Sequence, residues 1–210
     1  MALLKQDELN NIAKPNKEYF GEMGLSDVEI KRRIAFAESL DDVFFMLFAL
    51  ISADLSLKQP IDIDYYTDYV ARRYERVIEE AGIDIEDKYP LLRSHVRDTA
   101  EEVVRQNAKH SDDPWQTSYD RGRLIAENEA NSVYEYVVFQ DAVSDGKTRK
   151  VWNTMYDNKV RHTHIELEGL SIPIMERFKV GAYEMYQPKD TSCGAGMEEI
   201  ANCRCWCSYL

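Results

Sequence analysis

The side chains best suited to chemistry crowd into the last third of the 210-residue chain. All four cysteines, Cys193, Cys203, Cys205 and Cys207, fall within its last eighteen residues. Two other clusters accompany them. "DNKVRHTH" holds Asp157, Arg161, His162 and His164, and "QPKDTSCGAGMEE" holds Pro188, Asp190, Cys193, Glu198 and Glu199. Thiolate and imidazole are the ligands that zinc prefers in tetrahedral geometry. Cys203 and Cys205 are therefore candidate ligands, with His164, Cys193 or His162 arriving from distant loops. Residues two apart on a strand share a face but stand about 7 Å apart. Two thiolates on one metal sit closer, so a shared ion requires a bend at Arg204. Two other readings stand beside the metal: reduced thiols packed as small apolar groups, and a disulfide formed in an oxidising medium.

Enzymatic chemistry finds weaker footing. His164-Ile165-Glu166 followed by paired cysteines is a poor match to the H-x-E and P-C-x-x-C of zinc deaminases, because the pair is C-x-C and no proline precedes it. Arg161, His164 and Glu199 form a conceivable catalytic cluster, but buried polar clusters more often hold loops together. The sequence contains no phosphate loop, no G-x-S-x-G and no dinucleotide fingerprint.

The elements that must position these residues divide into two regimes. "SDVE" at 26–29 is a capping-box pattern, with Ser26 as the cap and Glu29 reaching back. It predicts a long helix on which Ile30, Ile34, Ala37, Val43, Phe44, Leu47 and Ile51 recur at helical spacing. A second helix carries Tyr66, Val70, Tyr74 and Val77 inward and stops at Gly82. A third turns Leu92, Val96, Ala100 and Val103 to one side, with His95 and His110 at or near the surface. A fourth starts at Asp113-Pro114, bears the stripe Ala126, Ala130, Val133 and Val137, and ends before the turn Ser144-Asp145-Gly146. From 147 onward "KTRKVWNTMYD" alternates as a strand does. The expected class is α+β: an N-terminal arm (1–25), a helical part (26–145) and a small α+β unit (146–210) closed by a Cys/His clasp.

Charge is distributed unequally along the chain. The net charge is −12. Residues 147–210 hold nine Lys/Arg against eight Asp/Glu, so the remaining 17 basic and 30 acidic groups lie in the first 146 residues. Such a surface repels phosphate backbones and favours a protein partner. The longest apolar run, residues 43–53, is too short to span a bilayer. The first residues lack the apolar stretch of a secretory signal. These observations predict a protein made in a reducing cytoplasm, with no membrane partner.

In order, "RLIAENEANSVYEY" (123–136), "KVWNTMYDNKVRHTHIELEG" (150–169), "QPKD" (187–190) and "EEIANCRC" (198–205) resemble the Mu F-like minor head proteins of tailed bacteriophages, also called head morphogenesis proteins. The matching positions are Ile125, Ala126, Glu129, Lys150, Trp152, Asp157, Val160, Arg161, His164, Leu167, Gly169, Pro188, Asp190, Glu199, Asn202, Cys203, Arg204 and Cys205. They span roughly residues 120–206. Many family members carry C-x-x-C where this chain has Arg161 and His164, and a histidine just before the final cysteines, near Ile200 here. The resemblance implies a non-enzymatic structural protein of the virion, present in host cytoplasm during assembly. It would act in head morphogenesis on the portal or the major capsid protein. Packaged DNA is disfavoured as a partner by the acidic charge. The alternatives are an enzyme or toxin using Arg161, His164 and Glu199, and a zinc-binding adaptor. The residues expected to close the C-terminal unit are Asp157, Arg161, His164, Gly169, Pro188, Glu199, Asn202 and the cysteines.

Overall fold

The computed structural model describes residues 17–21 and 23–210. A short helix α1 (Lys17–Gly21) leads into the long helix α2 (Asp27–Ser56). The Ser26 side chain accepts from Glu29 N–H while the Glu29 carboxylate accepts from Ser26 N–H, so both halves of the capping box form. Helices α3 (Ile63–Glu80) and α4 (Leu91–Lys109) follow. Gly82 turns the chain after α3 with φ +76°, a conformation that costs glycine little. Asp113-Pro114 does not start the next long helix. It caps a single 3-10 turn (Pro114–Thr117), and α5 (Tyr119–Ser144) begins afresh on Ser118, whose hydroxyl accepts from Arg121 N–H.

The four long helices share one core. Phe36, Leu40, Phe44, Leu47 and Ile51 of α2 meet Val70, Tyr74 and Ile78 of α3, Val96, Ala100 and Val104 of α4, and Ala126, Ala130 and Val133 of α5. The small residues of α5 let it lie close against α2. At Gly122 an added Cβ would already touch Phe44 and Phe48 at 3.4 Å. Residues 17–21 and 23–25 are docked rather than loose, with Phe20 and Met23 buried in the same core. The expected arm over residues 1–16 lies outside the described residues.

Beyond the turn at Gly146 the chain forms β1 (Arg149–Asn153), a one-turn helix α6 (His162–Ile165), β2 (Ser171–Pro173), the hairpin β3 (Phe178–Val180) and β4 (Tyr183–Met185), a second one-turn helix α7 (Met197–Ile200) and β5 (Trp206–Tyr209). β1 runs antiparallel between β2 and β5, with Lys150 opposite Tyr209 and Trp152 opposite Cys207. Trp152, Leu167, Phe178, Val180, Met185 and the three last cysteines make a second core. The architecture is thus α+β, with helices first and small antiparallel sheets after. Among the described residues no helix is long and apolar enough to cross a membrane.

The sheet is stitched to the helices by buried charge. Arg33 of α2 donates through Nη2 to Glu135 of α5 at 2.8 Å and through Nη1 to Asn131. The second Glu135 oxygen accepts from Cys207 N–H of β5 at 3.1 Å. Burial raises the Glu135 pKa, and the Arg33 charge and hydrogen bond offset only part of that.

Candidate metal centre

His164, Cys203 and Cys205 converge in the C-terminal core. Nδ1 of His164 lies 3.5 Å from Cys203 Sγ and 3.4 Å from Cys205 Sγ. The three donor atoms fall within 4.8 Å of one another and all three residues are buried. Zinc–sulfur bonds of about 2.3 Å and zinc–nitrogen bonds of about 2.0 Å at a tetrahedral angle place S and N about 3.5 Å apart. The observed separations fit that geometry.

Local backbone produces the convergence. Residues 203–205 precede β5 rather than belonging to it. Asn202 adopts the left-handed region at φ +54° and reverses the chain. Cys205 N–H then donates to Cys203 Sγ at 3.4 Å. The approach of the two cysteines that a shared ion requires is therefore present between Cys203 and Cys205, where this hydrogen bond closes, while Asn202 sets the direction in which the chain enters it. The hydrogen bond with Cys205, and the neighbouring His164, pull the Cys203 thiol well below its ordinary pKa. The same bond to Cys203 pushes Cys205 up.

His164 is oriented from behind. Its Nε2 lies 3.0 Å from Glu199 Oε2, and Thr163 Oγ1 donates to the same oxygen at 2.8 Å. A carboxylate on one imidazole nitrogen fixes the proton there and leaves the other nitrogen's lone pair for a ligand. Trp152 stands edge-on to the imidazole, centroids 5.4 Å apart. Glu199 approaches Gly181 of the β3–β4 turn so closely that an added Cβ would sit 2.7 Å from its Oε1.

The remaining expected residues separate into two groups. Cys193 stands apart from the three donors, half-buried, with its sulfur 3.6 Å from Ser192 Oγ. His162 is exposed and faces Glu166 at 3.2 Å. Cys207 is held on β5, its thiol pushed up by burial and by Glu135. Asp157, Arg161, Asn202 and Arg204 do join the clasp. Arg204 pairs with Asp157 at 2.5 Å, Arg161 donates to the Ala201 carbonyl, and Asn202 N–H donates to Asn128 Oδ1 at 2.8 Å. Gly169, at φ +71°, donates its N–H to the Trp152 carbonyl and closes the 157–169 segment onto β1. Pro188 is buried in the turn where Asp190 accepts from Tyr186 and Ser192 N–H.

Several participants escape a reading based on residue type. Asn131 Nδ2 donates to the Cys203 and Cys205 carbonyls at 3.3 and 3.4 Å, and Asn128 receives both Asn202 N–H and the buried Lys189 ammonium. Burial lowers Lys189 to about 8. Asn128, Asn131 and Glu135 recur at three- and four-residue spacing on α5, so a polar stripe inside a helix was the available signal. Lys150 is buried with no hydrogen-bond partner for its Nζ among the described residues, and lies 5.0–5.3 Å from the ring centroids of Phe139, Phe178 and Tyr186. Burial lowers it to about 8 as well.

A second polar knot lies between α3, α4 and α5, where Glu129 receives Tyr74 at 2.9 Å, His95 at 2.7 Å and Thr99 at 3.1 Å. A cleft of about 590 Å³ opens between α4, α5 and residues 175–192. Its wall includes His95, Gln187 and Lys189 but none of the three donors of the metal centre. No family model, no curated protein and no solved structure matches the chain.

Proposed function

We propose that this chain is a structural minor head protein of a tailed bacteriophage, acting in head morphogenesis by binding the portal or the inner capsid. The observation that carries this reading is the convergence of the residues behind the resemblance. Asp157, Arg161, His164, Glu199, Asn202, Cys203, Arg204 and Cys205 come from two separated segments, 157–164 and 199–205, and meet in one tie. The donor group of that tie is buried. Buried donors whose neighbours are strands and turns act as a staple, and a small unit with a thin core needs one. We further propose zinc as the ion held by His164, Cys203 and Cys205. Bound zinc would supply cross-linking energy between the two segments. The acidic helical part suits a basic face on the portal or the capsid, where charge sets encounter rate and register.

Two experiments test this. In cells producing particles, a tagged chain should co-sediment with heads and cross-link to the portal or the major capsid protein. Recovery only as free protein, with heads devoid of it, refutes the assignment. Elemental analysis of protein purified under reducing conditions should give about one zinc per chain. Cys203→Ser/Cys205→Ser should then abolish zinc binding and lower the melting temperature. An unchanged melting curve would sink the staple.

A further inference from the structure

Lys189 is placed at a cost that its visible bonds do not explain. It is 5% exposed, and its backbone sits in the left-handed region at φ +66°, which a residue with a Cβ adopts only when its surroundings impose it. A buried ammonium is ordinarily paired with a carboxylate. Among the described residues this one bonds only to Asn128 of α5, through the backbone carbonyl at 3.3 Å and through Oδ1. The strained turn therefore aims a desolvated amine at a side-chain amide.

That amide is held as an acyl group is held for attack. Asn202 N–H donates to Asn128 Oδ1 at 2.8 Å, the oxygen on which negative charge develops when a nucleophile adds to the carbonyl. Asn128 Nδ2 donates to Asn202 Oδ1 at 3.3 Å, so the amide plane is fixed from both ends. A carbonyl bond is about 1.23 Å long, so with Nζ in contact with Oδ1 the amide carbon Cγ lies within about 4 Å of the amine. Atoms poised to react stand at about 3–3.5 Å. Burial lowers Lys189 to about 8, which leaves about a tenth of it as neutral amine at pH 7.

We propose that Lys189 and Asn128 join in an intramolecular isopeptide bond. Nζ of the neutral amine adds to Cγ and the Cγ–Nδ2 bond breaks. The displaced Nδ2 takes one amine proton and leaves as ammonia. In balance, one lysine ammonium and one carboxamide give one secondary amide and one ammonium ion, with no oxidant, reductant or further reactant. Asn202 N–H stabilises the oxyanion and stays bonded to the amide oxygen afterwards. Glu129 follows Asn128 on α5 and lies within electrostatic range of Lys189, so it is the nearby acceptor for the first proton of the ammonium. Lys189 also stands in the wall of the cleft of about 590 Å³, which gives the ammonia a route to water. The bond ties α5 to the 187–190 turn by a link that neither reductant nor chelator opens.

Mass spectrometry of the full chain, unfolded and reduced, should give a mass one ammonia below that of the sequence. Trypsin should then fail to cut after Lys189 and should yield a branched species joining residues 124–147 to residues 180–204, whose fragments place the link at Asn128 and Lys189. Lys189→Arg keeps a charge and a donor for Asn128 but supplies no nucleophilic amine, and Asn128→Ala removes the acyl group. Both variants should show the full sequence mass. The wild-type digest reads the bond directly, so the result stands even where a variant fails to fold. A wild-type chain at full mass, with 124–147 recovered as a linear peptide after prolonged incubation at about pH 8, overturns the proposal. A missing ammonia that persists in Lys189→Arg, with no branched species in the wild-type digest, has another source and overturns it too.

Discussion

Arg33→Met is the substitution whose cost follows most directly from the structure. It removes the only charged partner seen for the Glu135 carboxylate, which would keep just Cys207 N–H as a donor among the bonds described. Both side chains are 2% exposed, so water cannot replace the guanidinium. The carboxylate has two ways out. It can stay charged in the core, at about 3–5 kcal/mol. Or it can take up a proton, and from an unfolded value of about 4.3 that costs about 1.4 kcal/mol per pH unit, or about 4 kcal/mol at pH 7 and about 1 kcal/mol at pH 5. The cheaper path sets the loss. Because burial already holds Glu135 above its ordinary pKa with Arg33 present, urea unfolding should show at most about 4 kcal/mol lost at pH 7, falling to at most about 1 kcal/mol at pH 5. Arg33→Met/Glu135→Leu should restore most of the difference, because exchanging a buried pair for apolar groups is often neutral. A loss at pH 7 under about 1 kcal/mol, a loss independent of pH, or a double variant no better than the single would each refute the reasoning.

Three more perturbations follow from the buried charges and one turn. Lys150, lowered to about 8 by burial, binds its proton less tightly folded than unfolded. The fold therefore bears a cost of about 3 kcal/mol below pH 8 that fades as pH rises towards about 10.4. Lys150→Met should stabilise the protein at pH 7, less any cation–π loss to its three rings, and flatten the rise in stability between pH 8 and 10, as melts across that range would show. Burial pulls His95 down and Glu129 up, but their mutual attraction outweighs it, leaving His95 raised and Glu129 lowered. The histidine's contribution is complete below about pH 6.5 and is lost as pH rises through its raised value. The carboxylate's is complete above about pH 4.5 and is lost as pH falls through its lowered value. Glu129→Gln should remove about 1–3 kcal/mol, most of it between those two limits, measured by thermal melts from pH 4 to 8. Gly181→Ala should cost about 1–2 kcal/mol in urea unfolding, since the position has φ +58° and the new methyl displaces Glu199 from beside His164.

The helical half was readable because apolar periodicity and side-chain caps act locally. Ser26 and Glu29 announce α2, and the stripe Ala126, Ala130 and Val133 marks the inward face of α5. The start of α5 was misplaced because Asp113-Pro114 and Ser118 are both good caps, and only packing decides which of them begins the long helix. In the site, Cys203, Cys205 and His164 were legible from residue type, and their spacing already required a bend. Arg33 and Glu135 were not legible. A charged residue on a helix reads as solvent-facing, and pairing across 102 positions leaves no local trace. Thr163 was hidden for a related reason, since its role depends on where Glu199 arrives from α7.

Tyr19 donates its hydroxyl to the carbonyl of Cys203 at 2.9 Å, and Gly24 lies against the Trp206 ring with no room for a side chain. The first of these contacts spans 184 positions of sequence. Closing so long a loop in a random chain is among the most entropically costly steps open to it, although the cost grows only as the logarithm of length. Once α2 has packed on α5 and Arg33 has engaged Glu135, the two segments are already neighbours and little entropy remains to be lost. The contacts of Tyr19 and Gly24 should therefore form late in folding and break early in unfolding, and amide protection at those two positions should report whether the Cys203–Trp206 segment beneath them is seated.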